Sequence, residues 1–285
     1  MLPYLTRQNL DSFIGQALAE DIGPGDYSTL ACFPPPSQGK AKLLCKSSGV
    51  LAGVGMAQEI LARFDPDARL EVLLDDGSPF QPGDVAFYIE AKVQTLLSTE
   101  RLILNCMQRM SGIATHTRAL ADLVAGTGCQ ILDTRKTTPN FRLAEKWAVA
   151  IGGGRNHRYA LYDMVMLKDN HIDFCGGITQ AVQKTQAYMQ ERNLDLAIEV
   201  EIRTIPELAE ALTLPGIHRL LLDNMTPAQV RECVQLVAGR VETEASGNIN
   251  RNNLRAYAET GVNFVSMGSL TYGATPLDLS LKACA

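Results

Sequence analysis

The chain has 285 residues, a formal net charge of −5, 46% apolar residues and 20% charged residues. That length suggests two domains, or one with a large extension, and that composition excludes a disordered chain. No apolar run reaches the roughly 18 residues of a membrane span, and the acidic balance with a single Trp gives no support to nucleic-acid binding.

The first residues, MLPYLTRQNLDSF, lack the apolar stretch of a signal peptide. Seven cysteines, at 32, 45, 106, 129, 175, 233 and 284, are odd in number, scattered, and never spaced as CxxC. Reduced thiols in a cytoplasmic protein are expected, rather than zinc or disulfides. The spacing predicts an amphipathic helix over 9–20, a loop in DIGPGDYST, and strands over 40–46, 70–74 and 84–92. Turns at Phe33-Pro34-Pro35-Pro36 and Gln81-Pro82-Gly83-Asp84 separate them, as in a mixed α/β domain with an antiparallel sheet. VLLDDGS at 72–78 reads as a solvated turn. A long helical pattern runs from Gln94 to about Met110 and on into SGIATHTRALADLVAG, and we place the domain boundary near residue 112.

From 129 onward the texture alternates. Strands are expected over 129–135, 165–169, 196–202, 218–223, 241–246 and 263–267, with helices over 141–151, 177–192, 205–213, 226–238 and 250–260. Six such alternations favour a parallel, barrel-like sheet, and the remaining length suggests an incomplete or open barrel. The last ten residues, from Pro276, are expected to return to the first domain.

The chemistry concentrates between Asp133 and His171. This stretch carries Arg135, Lys136, Arg142, Lys146, Arg155, Arg158 and Lys168, with His157 beside Arg158, in a chain that is acidic overall. Arg135 and Lys136 close one strand-like run and Lys168 closes another, and the carboxyl ends of parallel strands face one common mouth. Clustered cations with matching forks suit phosphate and carboxylate groups. Gly152-Gly153-Gly154 stops the intervening helix and lets the backbone pass close to the site; it does not fit a dinucleotide fingerprint. His171 reads as a scaffold residue, since no second His has metal spacing.

In LAIEVEI, Glu199 and Glu201 sit two apart, so a strand places both on one face. Buried carboxylates need cations or Mg²⁺ beside them. With Asp223 at the end of RLLLDN they suit a Mg²⁺-bound diphosphate; the alternative is a structural ring of ion pairs inside the barrel. Ser246 and Gly247 in EASGNIN, and Ser266 and Gly268 in VSMGSL, lie at consecutive strand ends, where small residues let backbone N–H groups approach a phosphate.

The chain resembles the quinolinate phosphoribosyltransferase family nearly end to end. The resemblance rests on ALAEDIGPGD at 17–26, ERLILNCMQRMSGIAT at 100–115, DTRKTTP at 133–139, GGGRNHR at 152–158, LKDNHI at 167–172, EVE at 199–201, LLDN at 221–224, EASGNI at 244–249 and SMGSLT at 266–271. It implies an N-terminal α/β sandwich over 1–112, an open seven-stranded α/β barrel over 113–275, and a dimer. It places ligand residues at Arg101, Thr134, Arg135, Lys136, His157, Arg158 and Lys168, Mg²⁺ and ribose acids at Glu201 and Asp223, and phosphate turns at Ser246, Gly247, Asn248, Ser266 and Gly268. Of these Lys136, Lys168, Glu201 and Asp223 would carry the catalysis. Two residues depart from the family pattern: Asn248 stands where a second glycine is usual, and Asn140 follows TTP. Asn tolerates left-handed backbone better than most residues.

The implied reaction joins quinolinate to phosphoribosyl pyrophosphate, giving nicotinate mononucleotide, pyrophosphate and CO₂. Two carboxylates need at least two clamps, for which Arg101, Arg135 and Arg158, with His157, are expected, Arg101 reaching across the dimer. The alternatives are a related enzyme acting on another pyridine or anionic substrate, and a non-catalytic anion-binding protein.

Overall fold

The computed structural model describes residues 2–33 and 37–284, so Pro34, Pro35 and Pro36 of the expected turn lie outside the described residues. The chain forms two compact units. One comprises Met1–Ala119, Lys136–Gly154 and Leu270–Ala285; the other comprises Leu120–Arg135 and Arg155–Ser269.

In the first unit the strands are β1 (Gln38–Cys45), β2 (Gly49–Val50), β3 (Arg69–Val72), β4 (Pro79–Phe80) and β5 (Val85–Lys92). The second unit supplies β6 (Gln130–Leu132), β7 (Val165–Leu167), β8 (Ile198–Ile202), β9 (Arg219–Asp223), β10 (Glu242–Ser246) and β11 (Phe264–Ser266), and β12 (Leu279–Ala283) belongs to the first. An antiparallel sheet of order β12-β1-β5-β3 follows from the alternation of apolar residues. Leu43 opposes Phe87 and Leu281, Ala41 opposes Ile89, and Cys45 opposes Leu279. All are buried, so one face is core.

Two expectations in this unit are corrected. DIGPGDYST is not all loop: Asp26 caps a helix, Tyr27–Cys32, accepting from the Thr29 N–H (3.1 Å) and hydroxyl (2.5 Å). The DDG turn is not merely solvated: Asp76 accepts the N–H groups of Gly53, Val54 and Gly55 at 2.6, 2.9 and 3.1 Å, capping the helix Val54–Phe64. Burial raises the Asp76 carboxyl, and those three N–H groups oppose the rise.

Residue 112 lies inside one continuous helix, Val93–Val124. The returning C-terminal segment crosses the helix there, and a Cβ on Gly112 would lie 2.1 Å from the Thr275 carbonyl oxygen. The Leu277 N–H donates to the Gln108 carbonyl, and the Gln108 side chain donates to the Leu279 carbonyl, which leads the chain into β12. The helix Arg142–Ile151 also belongs to this unit. Phe141 packs edge-on against Phe13 with centroids 5.6 Å apart, and Trp147 lies against Gly55. Gly152 ends this helix and passes against Ala114 and Thr117, where a Cβ would come within 2.6 Å of the Ala114 carbonyl oxygen. The glycine run thus serves helix packing.

The second unit is an open α/β barrel. Its parallel strands run β6-β11-β10-β9-β8-β7, so the first pairs with the last and only the seam between β6 and β7 is unjoined. Six strands form among the described residues, and the seventh is reduced to a single parallel bridge between Leu132 and Arg155 beside β6. Two backbone bonds make it: the Arg155 N–H donates to the Ile131 carbonyl, and the Asp133 N–H to the Arg155 carbonyl. Among the described residues no helix is long and apolar enough to cross a membrane.

Candidate active site

Strand register decides which residues meet in the barrel. Glu199 opposes Arg219, which opposes Glu242; Glu201 opposes Leu221, which opposes Glu244; Asp223 opposes Ser246. Val200, Leu220, Leu222 and Ala245 alternate with these and are fully buried on the other face. Because side chains alternate strictly, Lys168, Glu201, Asp223 and Ser246 project from one face at the carboxyl ends of consecutive strands. Glu199 and Glu244 lie one layer below them.

The upper layer is acidic with one cation. Lys168 Nζ lies 3.5 Å from Glu201 Oε2, and the Asp169 N–H points at Oε1 from 3.4 Å. Lys168 is exposed, whereas Glu201 is buried. Burial raises the Glu201 carboxyl; Lys168 lowers it, and Asp223 and Asp169 raise it further. Glu201 and Asp223 supply hard oxygen donors at the ends of neighbouring strands, the donor type that Mg²⁺ takes. His171 Nδ1 accepts the Lys168 N–H at 3.0 Å, which holds the start of the helix Asp169–Cys175.

The lower layer is a buried ion-pair network. His157 Nε2 lies 2.9 Å from Glu199 Oε2 and 3.4 Å from Glu244 Oε2, and Arg219 Nη1 donates to Glu244 at 3.1 Å. Glu199 and Glu201 therefore share a face, as the sequence predicts, but differ in role: Glu199 joins the internal network and Glu201 lies beside Lys168. The Arg158 N–H donates to His157 Nδ1 at 2.6 Å, so the ring's own proton sits on Nε2, facing the two acids. Three potential ligand atoms lie within 4.8 Å of one another here. Arg219 is already on Glu244 and His157 Nε2 faces both acids, so the cluster balances its charge by ion pairs. Burial alone would push His157 down; Glu199 and Glu244 outweigh it and raise it to about 9. The extra proton is shared by the cluster, since burial and Glu244 also raise the Glu199 carboxyl.

That proton carries a pH dependence. The cluster's extra proton, held up to about 9 where a free histidine releases it at 6.5, contributes stability that is complete below about pH 6.5 and lost as pH rises through about 9. Denaturant unfolding should show a loss of roughly 1–3 kcal/mol between pH 6.5 and about pH 10. His157→Gln should flatten that slope; an equal slope in the variant would place the titration elsewhere.

Asp133 links the network to the anion-binding candidates. It is fully buried, and its carboxylate accepts from the His157 N–H at 2.8 Å and the Asn156 side chain at 2.7 Å. Arg158 follows directly, half-buried, with Nη1 on the Met164 carbonyl at 3.1 Å. Burial, and then Arg135, hold the Arg158 guanidinium below its ordinary value. Two guanidinium groups thus stand close enough to repel each other, with Thr134 part-buried beside Arg135. Sequence reasoning missed Asp133 and Glu244, although both stand inside motifs it singled out.

The turns after β10 and β11 come next. Gly247 has φ +93, and a Cβ there would meet the Asn224 side chain at 2.2 Å. Asn248, at φ +53, donates to Asn224 Oδ1 at 3.1 Å, and Asn224 Nδ2 donates to Asp223 at 2.6 Å. The residue that departs from the family pattern thus ties the turn to Asp223. Left-handed backbone favours Gly and Asn. Asn248→Gly should change stability by less than about 1 kcal/mol, and Asn248→Ala should cost about 1–2 kcal/mol; a thermal melt ranking Ala above Gly would contradict this. Ser266 is buried and helps hold Glu244 low, and Gly268 follows it.

The second unit contains Thr134, Arg135, His157, Arg158, Lys168, Glu201, Asp223, Ser246, Gly247, Asn248, Ser266 and Gly268. Lys136 and Arg101 belong to the first unit and are exposed, Arg101 on the helix Val93–Val124.

Comparison with known proteins agrees with this architecture. Residues 26–111 match the N-terminal domain, and residues 113–282 the C-terminal domain, of quinolinate phosphoribosyl transferase. A Nicotiana tabacum protein named quinolinate phosphoribosyltransferase [decarboxylating] 1b is 41% identical over 96% of this chain and 82% of its own. A Bacillus subtilis protein, a probable nicotinate-nucleotide pyrophosphorylase [carboxylating], is 39% identical over 95% of this chain and 92% of its own. The crystal structure of NadC from Streptococcus pyogenes covers 99% of both chains at 38% identity, with a TM-score of 0.89. The chain is a member of the quinolinate phosphoribosyltransferase family.

Proposed function

We propose that this enzyme transfers the phosphoribosyl group of phosphoribosyl pyrophosphate to quinolinate with loss of CO₂, giving nicotinate mononucleotide and pyrophosphate in NAD biosynthesis. The observation that carries the reading is that one unit holds both Arg158, with Arg135 near it in the same unit, and the Lys168–Glu201 pair with Asp223 at the ends of the barrel strands. Guanidiniums suit the carboxylates of an anionic acceptor, and the acids suit a cation or developing positive charge.

Arg135 and Arg158 take the two carboxylates of quinolinate, Thr134 lies beside them, and His157 holds the Arg158 backbone. Lys168 and Lys136 meet the pyrophosphate, and the turns at Ser246–Asn248 and Ser266–Gly268 present backbone N–H groups to the ribose phosphate. Glu201 and Asp223 stabilise positive charge developing on the ribose and bind its hydroxyls. When bound at Glu201 and Asp223, Mg²⁺ supplies neutralisation of the departing pyrophosphate's charge. The ring nitrogen attacks from the opposite face. The alkylated ring then holds the electron pair left on the ring carbon as CO₂ leaves, that carbon takes a proton from solvent to give nicotinate mononucleotide, and the protein's work is positioning and electrostatics.

The working assembly in this reading is a homodimer in which the partner subunit's Arg101 completes the quinolinate clamp. An Arg exposed on a helix and outside the barrel unit supports it. Cytoplasmic residence is supported by seven cysteines, all free.

Asp223→Asn should fold normally and lose roughly 100-fold in turnover, because size is kept and charge is lost where cationic charge develops. Normal turnover across a Mg²⁺ titration would make the acid structural. The reading as a whole is tested by offering quinolinate and nicotinate as alternative acceptors. Quinolinate should be strongly preferred, since a single carboxylate leaves one guanidinium unpaired; preference for nicotinate, or turnover with neither, would reject it.

A further inference from the structure

A second charged network lies in the first unit and takes no part in the chemistry above. Glu145 is fully buried on the helix Arg142–Ile151. Its Oε1 accepts from Arg109 Nε at 3.2 Å, Arg109 Nη2 at 3.0 Å and the Thr138 hydroxyl at 3.0 Å. Its Oε2 accepts the Thr138 N–H at 3.0 Å. Arg109 directs its remaining donors to backbone: Nη1 to the Ala274 carbonyl at 2.7 Å and Nη2 to the Thr271 carbonyl at 2.8 Å. Thr271, also fully buried, turns its hydroxyl to the Lys136 carbonyl at 2.8 Å.

One ion pair therefore fixes three stretches of chain: the helix bearing Arg109, the loop Lys136–Thr138, and the turn Thr271–Ala274. Two of these adjoin groups assigned to phosphates. Lys136 is held by its own carbonyl, and Thr271 lies three residues after Gly268. A buried ion pair is seldom justified by stability alone, because desolvation offsets the attraction. This one uses a planar fork that Lys cannot copy, and its donors go to backbone atoms whose placement sets the loop.

We propose that Arg109 and Glu145 are positioning residues for phosphoribosyl pyrophosphate, acting through Thr138 and Thr271 on the backbone of Lys136. The proposal rests on the reading of Lys136 as a pyrophosphate ligand. It assigns the brace to the pyrophosphate side, since the brace bonds reach Lys136 and Thr138, whereas Arg158 is held in the barrel unit by the Met164 carbonyl.

The test is steady-state kinetics in both substrates. Thr271→Val removes the hydroxyl that holds the Lys136 carbonyl. It should raise KM for phosphoribosyl pyrophosphate about three- to tenfold, the worth of one hydrogen bond, while KM for quinolinate stays within about twofold. Glu145→Gln should move the same constant further, and the double variant should fall short of the product of the two effects, as expected for one network. A merely structural brace predicts something else: less active enzyme, a lower kcat per chain, and both KM values unchanged. That result overturns the proposal. If Glu145→Gln fails to fold, Thr271→Val decides alone, and an unchanged KM for phosphoribosyl pyrophosphate overturns it. Lys136→Ala separates the two layers. A normal KM in that variant rejects Lys136 as a ligand and the brace with it; a raised KM there with a normal one in Thr271→Val rejects only the brace.

Discussion

Arg101→Ala and Lys168→Ala homodimers should each be nearly inactive, and mixing the two should restore activity. Arg101→Ala chains lack the arm but keep an intact barrel; Lys168→Ala chains keep the arm but lack the barrel lysine. In a two-fold dimer that exchanges Arg101, a mixed pair contains one complete site. Equal amounts assembled at random give half mixed dimers, and so about a quarter of wild-type sites. Arg101 is exposed on the helix Val93–Val124, outside the barrel unit, and the family resemblance is what assigns it to the partner's site. Co-refolding with no recovery, where mass spectrometry shows mixed dimers, would mean that Arg101 serves its own subunit or none.

The second large effect concerns the paired guanidiniums. Arg135→Ala and Arg158→Ala should each weaken quinolinate binding by about 10- to 100-fold, the worth of one charge-assisted contact at roughly 1.5–3 kcal/mol. Arg158 should be the more sensitive to Arg→Lys. It is half-buried with Nη1 committed to the Met164 carbonyl, and an ammonium cannot hold that bond and a carboxylate in the same plane. Neither change should move KM for phosphoribosyl pyrophosphate by more than about twofold. Near-normal quinolinate affinity in both Ala variants would remove these residues from the site.

The barrel was the legible part of the fold. Period-two spacing in LAIEVEI is enough to place Glu199 and Glu201 on one face, and parallel register then brings Asp223, Lys168 and Ser246 to the same face. Residues whose partners are distant were not legible. The helix Val54–Phe64 begins at a left-handed Gly53 with no side-chain cap of its own, and its cap, Asp76, arrives 22 residues later in a segment that reads as an ordinary turn. Glu244 sits inside EASGNI, where attention falls on the small residues after it. Its pairing with His157 joins residues 87 positions apart and leaves no local trace. The helix Arg142–Ile151 has the apolar spacing of a barrel helix, yet Phe141 and Trp147 commit it to the first unit through Phe13 and Gly55. Spacing shows that a face is buried, but not against what.

The most direct test of the central claim is the stoichiometry of a single incubation. The enzyme is supplied with phosphoribosyl pyrophosphate, Mg²⁺ and quinolinate carrying ¹⁴C in the carboxylate next to the ring nitrogen. Released ¹⁴CO₂, pyrophosphate and nicotinate mononucleotide should appear in equal amounts, and all three should vanish without the divalent cation. Retention of the label in a ribosylated product, or pyrophosphate release without a new nucleotide, would contradict the account.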